Sequence, residues 1–174
     1  MEWRTYYWVQ PIKEHEKILS DIIRKLSSEL DSPIFEPHMT IYGGPASDED
    51  NAESILKASW GRRKEFALDV QSIRYTSDLS KSLFIQLEQS PWLKRVCRNI
   101  RGLVKNPGPF EVDPHISLAY KEMSLANKAK LAKKIKLPLE NIQFDTLVAK
   151  RSPARTGSDL MVEKWEKIVT YKFT

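Results

Sequence analysis

Pro37-His38-Met39-Thr40-Ile41-Tyr42 and Pro114-His115-Ile116-Ser117-Leu118-Ala119 carry one phrase twice, proline–histidine–apolar–hydroxyl–apolar, with His115 standing in the second copy where His38 stands in the first. Alternation along an extended chain sends His38 and Thr40 to one face and Met39 and Ile41 to the other. His115 and Ser117 share a face in the same way, with Ile116 and Leu118 opposite. Two strands, each showing an imidazole and a hydroxyl on one side and an apolar pair on the other, read as the two walls of one polar site.

Outward from these strands the chain repeats itself. Trp3 to Gln10 is rich in aromatic and β-branched residues and stops at Pro11, which predicts a strand. Ile18, Leu19, Ile22, Ile23, Leu26 and Leu30 recur at helical spacing and predict a helix over about 14–30, ended by Asp31-Ser32-Pro33. After the His38 strand and Gly43-Gly44-Pro45, the acidic run Ser47-Asp48-Glu49-Asp50 reads as a helix start, with Ala52, Ile55, Leu56 and Trp60 as the buried stripe. Phe66, Leu68 and Val70 alternate as a strand to about Tyr75. The order then recurs. Leu83, Ile85 and Leu87 form a strand, and Ser90-Pro91 opens a helix whose core face is Leu93, Val96, Cys97, Ile100, Leu103 and Val104. The His115 strand follows, then a helix capped by Ser124 with Leu125, Ala129, Ala132 and Ile135 inward, then a strand from Ile142. Arg151 to Asp159 reads as a loop, and a last long strand as running from Leu160 to Phe173. The shift that takes His38 onto His115 also takes Thr5 near Ser82 and Ser47 onto Ser124. The expected fold is α+β: two pseudo-symmetric lobes, each a mainly antiparallel sheet with helices on one face, and the site in the cleft between them. The expected organisation is a single bilobal domain from units of about 1–77 and 80–152, plus the 160–173 strand.

The totals fit that picture. A chain of 174 residues with 41% hydrophobic and 29% charged residues suits one globular domain and excludes a disordered one. No apolar run reaches the length of a membrane span, and Met1-Glu2-Trp3-Arg4 does not open a secretory leader. Cys97 stands alone, so no disulfide forms within the chain, and a reducing, cytoplasmic setting is expected. The net charge of +5 is a modest bias toward anionic partners.

With the motifs laid out, the chain resembles the 2H phosphoesterase superfamily. Within it, Phe35-Glu36-Pro37-His38-Met39-Thr40 and Pro114-His115-Ile116-Ser117-Leu118-Ala119-Tyr120 look most like the plant and fungal cyclic phosphodiesterases. Glu163-Lys164-Trp165-Glu166 is similar to a tryptophan-containing terminal strand of that group. The resemblance implies a cleft lined by both motifs and opening of cyclic phosphodiesters without a metal. The substrates implied are ADP-ribose 1″,2″-cyclic phosphate and nucleoside 2′,3′-cyclic phosphates, the latter giving 2′-phosphates. It also implies that Tyr120 lines the site, although strict alternation from His115 turns Tyr120 the other way unless a bulge re-aims it. Trp165 is read as a face on which a base stacks, with a core position beside Val169, Tyr171 and Phe173 as the competing reading.

The chemistry asks for these residue types. Ring opening needs a base to take a proton from water and an acid to protonate the departing sugar oxygen, and imidazole does either near neutrality. The sequence-based assignment is His115 as base and His38 as acid, with pseudo-symmetry leaving the reverse open. Thr40 and Ser117 are expected to hold the phosphate oxygens. No cofactor is expected, and no metal, because two imidazoles and two hydroxyls are a poor ligand set and Cys97 lies in a helix stripe. His15, between Glu14 and Glu16, reads as solvated surface. The basic runs Lys128, Lys130, Lys133, Lys134, Lys136 and Lys94, Arg95, Arg98, Arg101 read as solvated faces or as attraction for nucleotides and RNA ends. Residues 76–82 join the units, either as a plain connection or as a cover over the cleft. A monomer acting on a small cyclic nucleotide is expected. The alternatives are an enzyme acting on 2′,3′-cyclic RNA ends or trimming 3′ uridines, and a catalytically silent nucleotide- or RNA-binding protein.

Overall fold

The computed structural model describes residues 2–155 and 160–173. Residues 156–159, which hold Gly157 of the expected loop, lie outside the described residues. The strands are β1 (Trp3–Pro11), β2 (Met39–Pro45), β3 (Phe66–Tyr75), β4 (Leu83–Leu87), β5 (His115–Ala119), β6 (Asn141–Pro153) and β7 (Glu166–Lys172). The helices are α1 (Lys13–Leu30), α2 (Ala52–Trp60), α3 (Pro91–Leu103) and α4 (Leu125–Lys134). Every strand pairing is antiparallel.

The strands run in the order β2-β1-β6-β3-β4-β5, with β7 also on β6. One lobe is β2-β1-β6-β7 and the other is β3-β4-β5, joined where the start of β6 pairs the start of β3 (Leu68↔Ile142). The third strand of each sequence repeat therefore pairs in the lobe of the other repeat. β3 leaves the first repeat to pair with β4, and β6 leaves the second to pair with β1. The helices follow the exchange: α1 packs on β5 as well as β1, and α3 packs on β2. A single core results, with Leu19 and Ile23 of α1, Leu93 and Ile100 of α3, and Met39, Ile41, Ile116 and Leu118 all at most 1% exposed.

Several local expectations change in the fold. Helix α2 starts at Ala52 and not in the acidic run, because the Asn51 side chain caps it by accepting from the Ser54 N–H at 3.0 Å. Asp48 and the Ser47 carbonyl hold Arg151 instead. Ser90 and Ser124 do cap their helices. The inward stripe of α4 is Lys128, Leu131, Ala132 and Ile135, which leaves Leu125 54% exposed. Leu103 is likewise exposed, just where α3 ends. β6 extends through Pro153, since residues 151–153 pair with β1. The long terminal strand is shorter than expected, as a 3-10 turn at Val162–Lys164 precedes β7. His15 is half-buried, accepting from the Gln143 N–H at 3.1 Å. No helix among the described residues is long and apolar enough to cross a membrane.

Candidate active site

β2 and β5 bring the two phrases together. A cleft of about 450 Å³ between the lobes is lined by His38 and Thr40 from one side and His115 and Ser117 from the other. Met39, Ile41, Ile116 and Leu118 point away from it into the core, as alternation demands. Each strand carries a bulge one residue after its hydroxyl. Pairing passes from Trp8↔Thr40 to Tyr7↔Tyr42, skipping Ile41, and from Phe84↔Ser117 to Leu83↔Ala119, skipping Leu118. Ile41 and Leu118 are themselves equivalent positions of the two phrases. The extra residue reverses the parity of the strand. So Tyr42 and Ala119 go to the core, and Gly43 and Tyr120 come back to the cleft. Tyr120 thus lines the cleft, which simple alternation denies.

The two imidazoles are held alike. His38 Nδ1 lies 2.7 Å from the Glu36 carbonyl and His115 Nδ1 lies 2.7 Å from the Asp113 carbonyl. A carbonyl only accepts, so Nδ1 carries the hydrogen in both rings and Nε2 is left as the nitrogen available to the cleft. Proline at 37 and 114 keeps the preceding acidic residue extended, which presents its carbonyl to the ring. His38, 7% exposed, stacks on Trp8 with ring centroids 3.5 Å apart and planes 14° off parallel. His115 meets Phe84 edge-on at 5.4 Å.

The carboxylates of the same acidic residues hold a second ring of groups that the sequence reading missed. Glu36 binds Lys150 Nζ at 2.9 Å, Lys167 Nζ at 3.2 Å and the Gln10 amide at 3.2 Å. Asp113 binds Lys81 Nζ and the Gln86 amide. Lys150 Nζ lies 4.8 Å from the Trp8 ring, and Lys81 Nζ lies 4.6 Å from the Phe84 ring. A signal was present: an acidic residue stands two places before each histidine, in Glu36-Pro37-His38 and Asp113-Pro114-His115. Nothing local marks Lys81 or Lys150, because they come from the linker and from β6.

Burial pushes His38 down from 6.5 to about 3, helped by the charge of Lys150 and by any charge on His115, against the pull of the Glu36 carbonyl. His115, more exposed, is lowered by burial and by Lys81, against the Asp113 carbonyl and carboxylate. Burial would raise the Glu36 and Asp113 carboxyls, but their lysines hold both below the ordinary carboxylate range. Burial pushes Tyr120 up to about 12 even though it shares a hydrogen bond with Ser117.

Ser117 donates to the Ser80 carbonyl at 3.1 Å. The linker is therefore a fixed wall: Ser80 and Lys81 line the cleft, Leu79 is buried, and the Thr76 carbonyl accepts from Lys128 Nζ at 2.6 Å. That contact removes Lys128 from the solvated basic face, where Lys130, Lys133, Lys134 and Lys136 remain. Neither basic run lines the cleft. Trp165 does, edge-on to His38 at 5.7 Å and to Trp8 at 5.2 Å, with its Nε1 donating to the Leu160 carbonyl. Among the described residues no group of three or more His, Cys, Asp or Glu gathers as metal ligands would.

The family model for cyclic phosphodiesterase-like protein matches residues 4–162. A cyclic phosphodiesterase of Arabidopsis thaliana is 21% identical over 165 residues, covering 92% of this chain and 90% of its own. Among solved structures, E. coli LigT in apo form matches with a TM-score of 0.61 at 14% identity, over 100% of this chain and 99% of that one. E. coli LigT complexed with 3′-AMP matches with a TM-score of 0.60 at 16% identity, over the same shares of the two chains. These structural likenesses are of fold.

Proposed function

This chain belongs to the cyclic phosphodiesterase-like protein family and is a hydrolase of the 2H phosphoesterase type, and on that premise we propose that it opens cyclic phosphodiesters with His38 and His115 as its acid–base pair. The substrates are ADP-ribose 1″,2″-cyclic phosphate and nucleoside 2′,3′-cyclic phosphates. The observation that carries this reading is the matched pair of imidazoles, each with Nδ1 spent on a backbone carbonyl and Nε2 left to one cleft. Thr40 stands beside them to hold the phosphate oxygens as charge builds, and Ser117 joins it by turning its one O–H from the Ser80 carbonyl to the bound phosphate. Trp165 and Tyr120 supply an aromatic wall for the nucleoside.

The electrostatics favour the reverse of the sequence-based assignment of roles. His38 is the more buried ring and the more strongly held neutral, so it accepts the proton of the attacking water. His115 is the more exposed, takes up a proton more readily, and returns it to the leaving sugar oxygen. The reaction then needs no metal: one proton goes from water to His38, another goes from His115 to the sugar oxygen, and exchange with solvent restores the pair.

A hydrolysis panel in EDTA tests the proposal. ADP-ribose 1″,2″-cyclic phosphate, mononucleoside 2′,3′-cyclic phosphates and a cyclic-ended RNA oligomer are compared for wild type, His38→Ala and His115→Ala. Turnover of the small substrates is expected, with each variant losing at least ~10²-fold. Tight binding without turnover would select the silent binder, preference for the oligomer would select the RNA-end enzyme, and activity retained in both variants would end the two-histidine mechanism.

A further inference from the structure

We infer that Lys81 and Lys150 are positioning residues through which the cleft senses an arriving oxyanion, each repelling a proton from one histidine until a phosphate balances its charge. The inference deepens the acid–base reading and rests on it. The geometry is duplicated. In each half-site an acidic residue uses its backbone carbonyl to hold imidazole Nδ1 and its side chain to hold a lysine. An aromatic residue of the neighbouring strand then touches both: Trp8 meets His38 and Lys150, and Phe84 meets His115 and Lys81. In the first half-site the strand order β2-β1-β6 places Trp8 on the strand between β2, which His38 immediately precedes, and the strand of Lys150. Both lysines line the cleft, and Lys150 is only 8% exposed.

A lysine this buried is an expensive way to brace a carboxylate that is itself half exposed. The same ammonium facing the cleft has a use when an anion enters. An ammonium within several ångströms of an imidazole disfavours imidazolium, and an oxyanion between them cancels that repulsion. The charged and titratable groups facing His38 are Glu36 on its own segment, Lys150 on β6, Lys167 on β7 through Glu36, and His115 on β5. Those facing His115 are Asp113 on its own segment, Lys81 on the linker and His38 across the cleft. Arg4, Glu111 and Arg155 also line the cleft and are present alike in wild type and in each lysine variant. Anion binding therefore draws a proton onto His115, the less buried ring, so the acid forms when there is a phosphate to act on, while burial keeps His38 neutral as the base. Without an anion in the cleft, the two ammonium groups disfavour a proton on either ring.

The test follows the histidine Cε1–H resonances over an acid-to-neutral pH series, and the protons exchanged on binding near neutral pH, in the whole chain. The probe is inorganic sulfate, an oxyanion with no proton of its own to give there. Wild type should take up a proton as sulfate binds, read by calorimetry in two buffers of different ionisation enthalpy. Lys150→Met keeps the aliphatic stem and should raise the His38 midpoint by about one pH unit. Lys81→Met should do the same for His115 and should also shrink the proton uptake. Glu36→Gln should move His38 the opposite way, a change of sign that loss of packing would not produce. Unmoved histidine midpoints in both lysine variants, or no sulfate binding by wild type, would overturn the inference. Proton uptake in a wild type that hydrolyses no cyclic phosphate would instead sustain the inference and defeat the enzymatic reading.

Discussion

His38→Asn should flatten the acid side of this protein's stability curve. Asparagine keeps an N–H near the place of Nδ1, able to donate to the Glu36 carbonyl, and removes the titrating group. In the folded state burial holds His38 down to about 3, against 6.5 for an ordinary histidine. Between those values the unfolded chain binds a proton at this position and the folded chain does not. Stability from a neutral His38 is thus fully present above about pH 6.5 and is lost as pH falls toward 3. The gap of about 3.5 pH units corresponds to about 5 kcal/mol at most, accruing at about 1.4 kcal/mol per pH unit. By pH 4 the wild type should have lost about 3 kcal/mol more than the variant, relative to each at pH 7. Urea unfolding of both proteins over a pH series measures this, and the carboxylates shared by both cancel in the difference. The variant starts lower because it loses the ring stacked on Trp8, so slope and not offset decides. Parallel curves would refute the reasoning and mean that His38 is hydrated.

The two hydroxyls should separate. Thr40→Val is expected to lower kcat/KM by roughly 10- to 100-fold with Tm unmoved, as for a donor lost from a charged group. Ser117→Ala should lower kcat/KM similarly and also cost about 1 kcal/mol, or about 2–4 °C in Tm, because it leaves the Ser80 carbonyl without its donor; an unchanged Tm in a melting scan would count against that contact. In Gly43→Ala the new Cβ would meet Tyr6 Cδ1 at 2.7 Å and push that ring into the cleft, so KM should rise several-fold with the fold intact; an unaltered KM would show that the cleft does not use that space. Leu125→Gln, on the exposed end of α4, should change unfolding free energy by less than about 0.5 kcal/mol. Leu93→Ala at a fully buried site should cost about 2–5 kcal/mol, and similar losses for both would undo the corrected stripe of α4.

The sequence by itself determined what depends on neighbours along the chain. Alternation placed His38 with Thr40 and His115 with Ser117, helical spacing placed α1 and α3, and Ser90 and Ser124 announced their own helices, because periods of two and 3.6 and the capping of free N–H groups are local geometry. The recurring order of strands and helices was legible because each element carries its own period and its own turn residues. Tertiary structure alone decided that β3 and β6 trade lobes, since any antiparallel partner with an apolar face satisfies a lone strand. It decided the bulges at Ile41 and Leu118, and with them the return of Tyr120 to the cleft, because a bulge is a mismatch between two strands and belongs to neither. It placed Trp165 against His38 and brought Lys150 and Lys81 beside the imidazoles from other strands and from the linker, far from either histidine along the chain. The protonation of the site was decided at the same level, since the proton affinity of a histidine follows from the water and charge around it, and both are arranged only when the lobes close on one another.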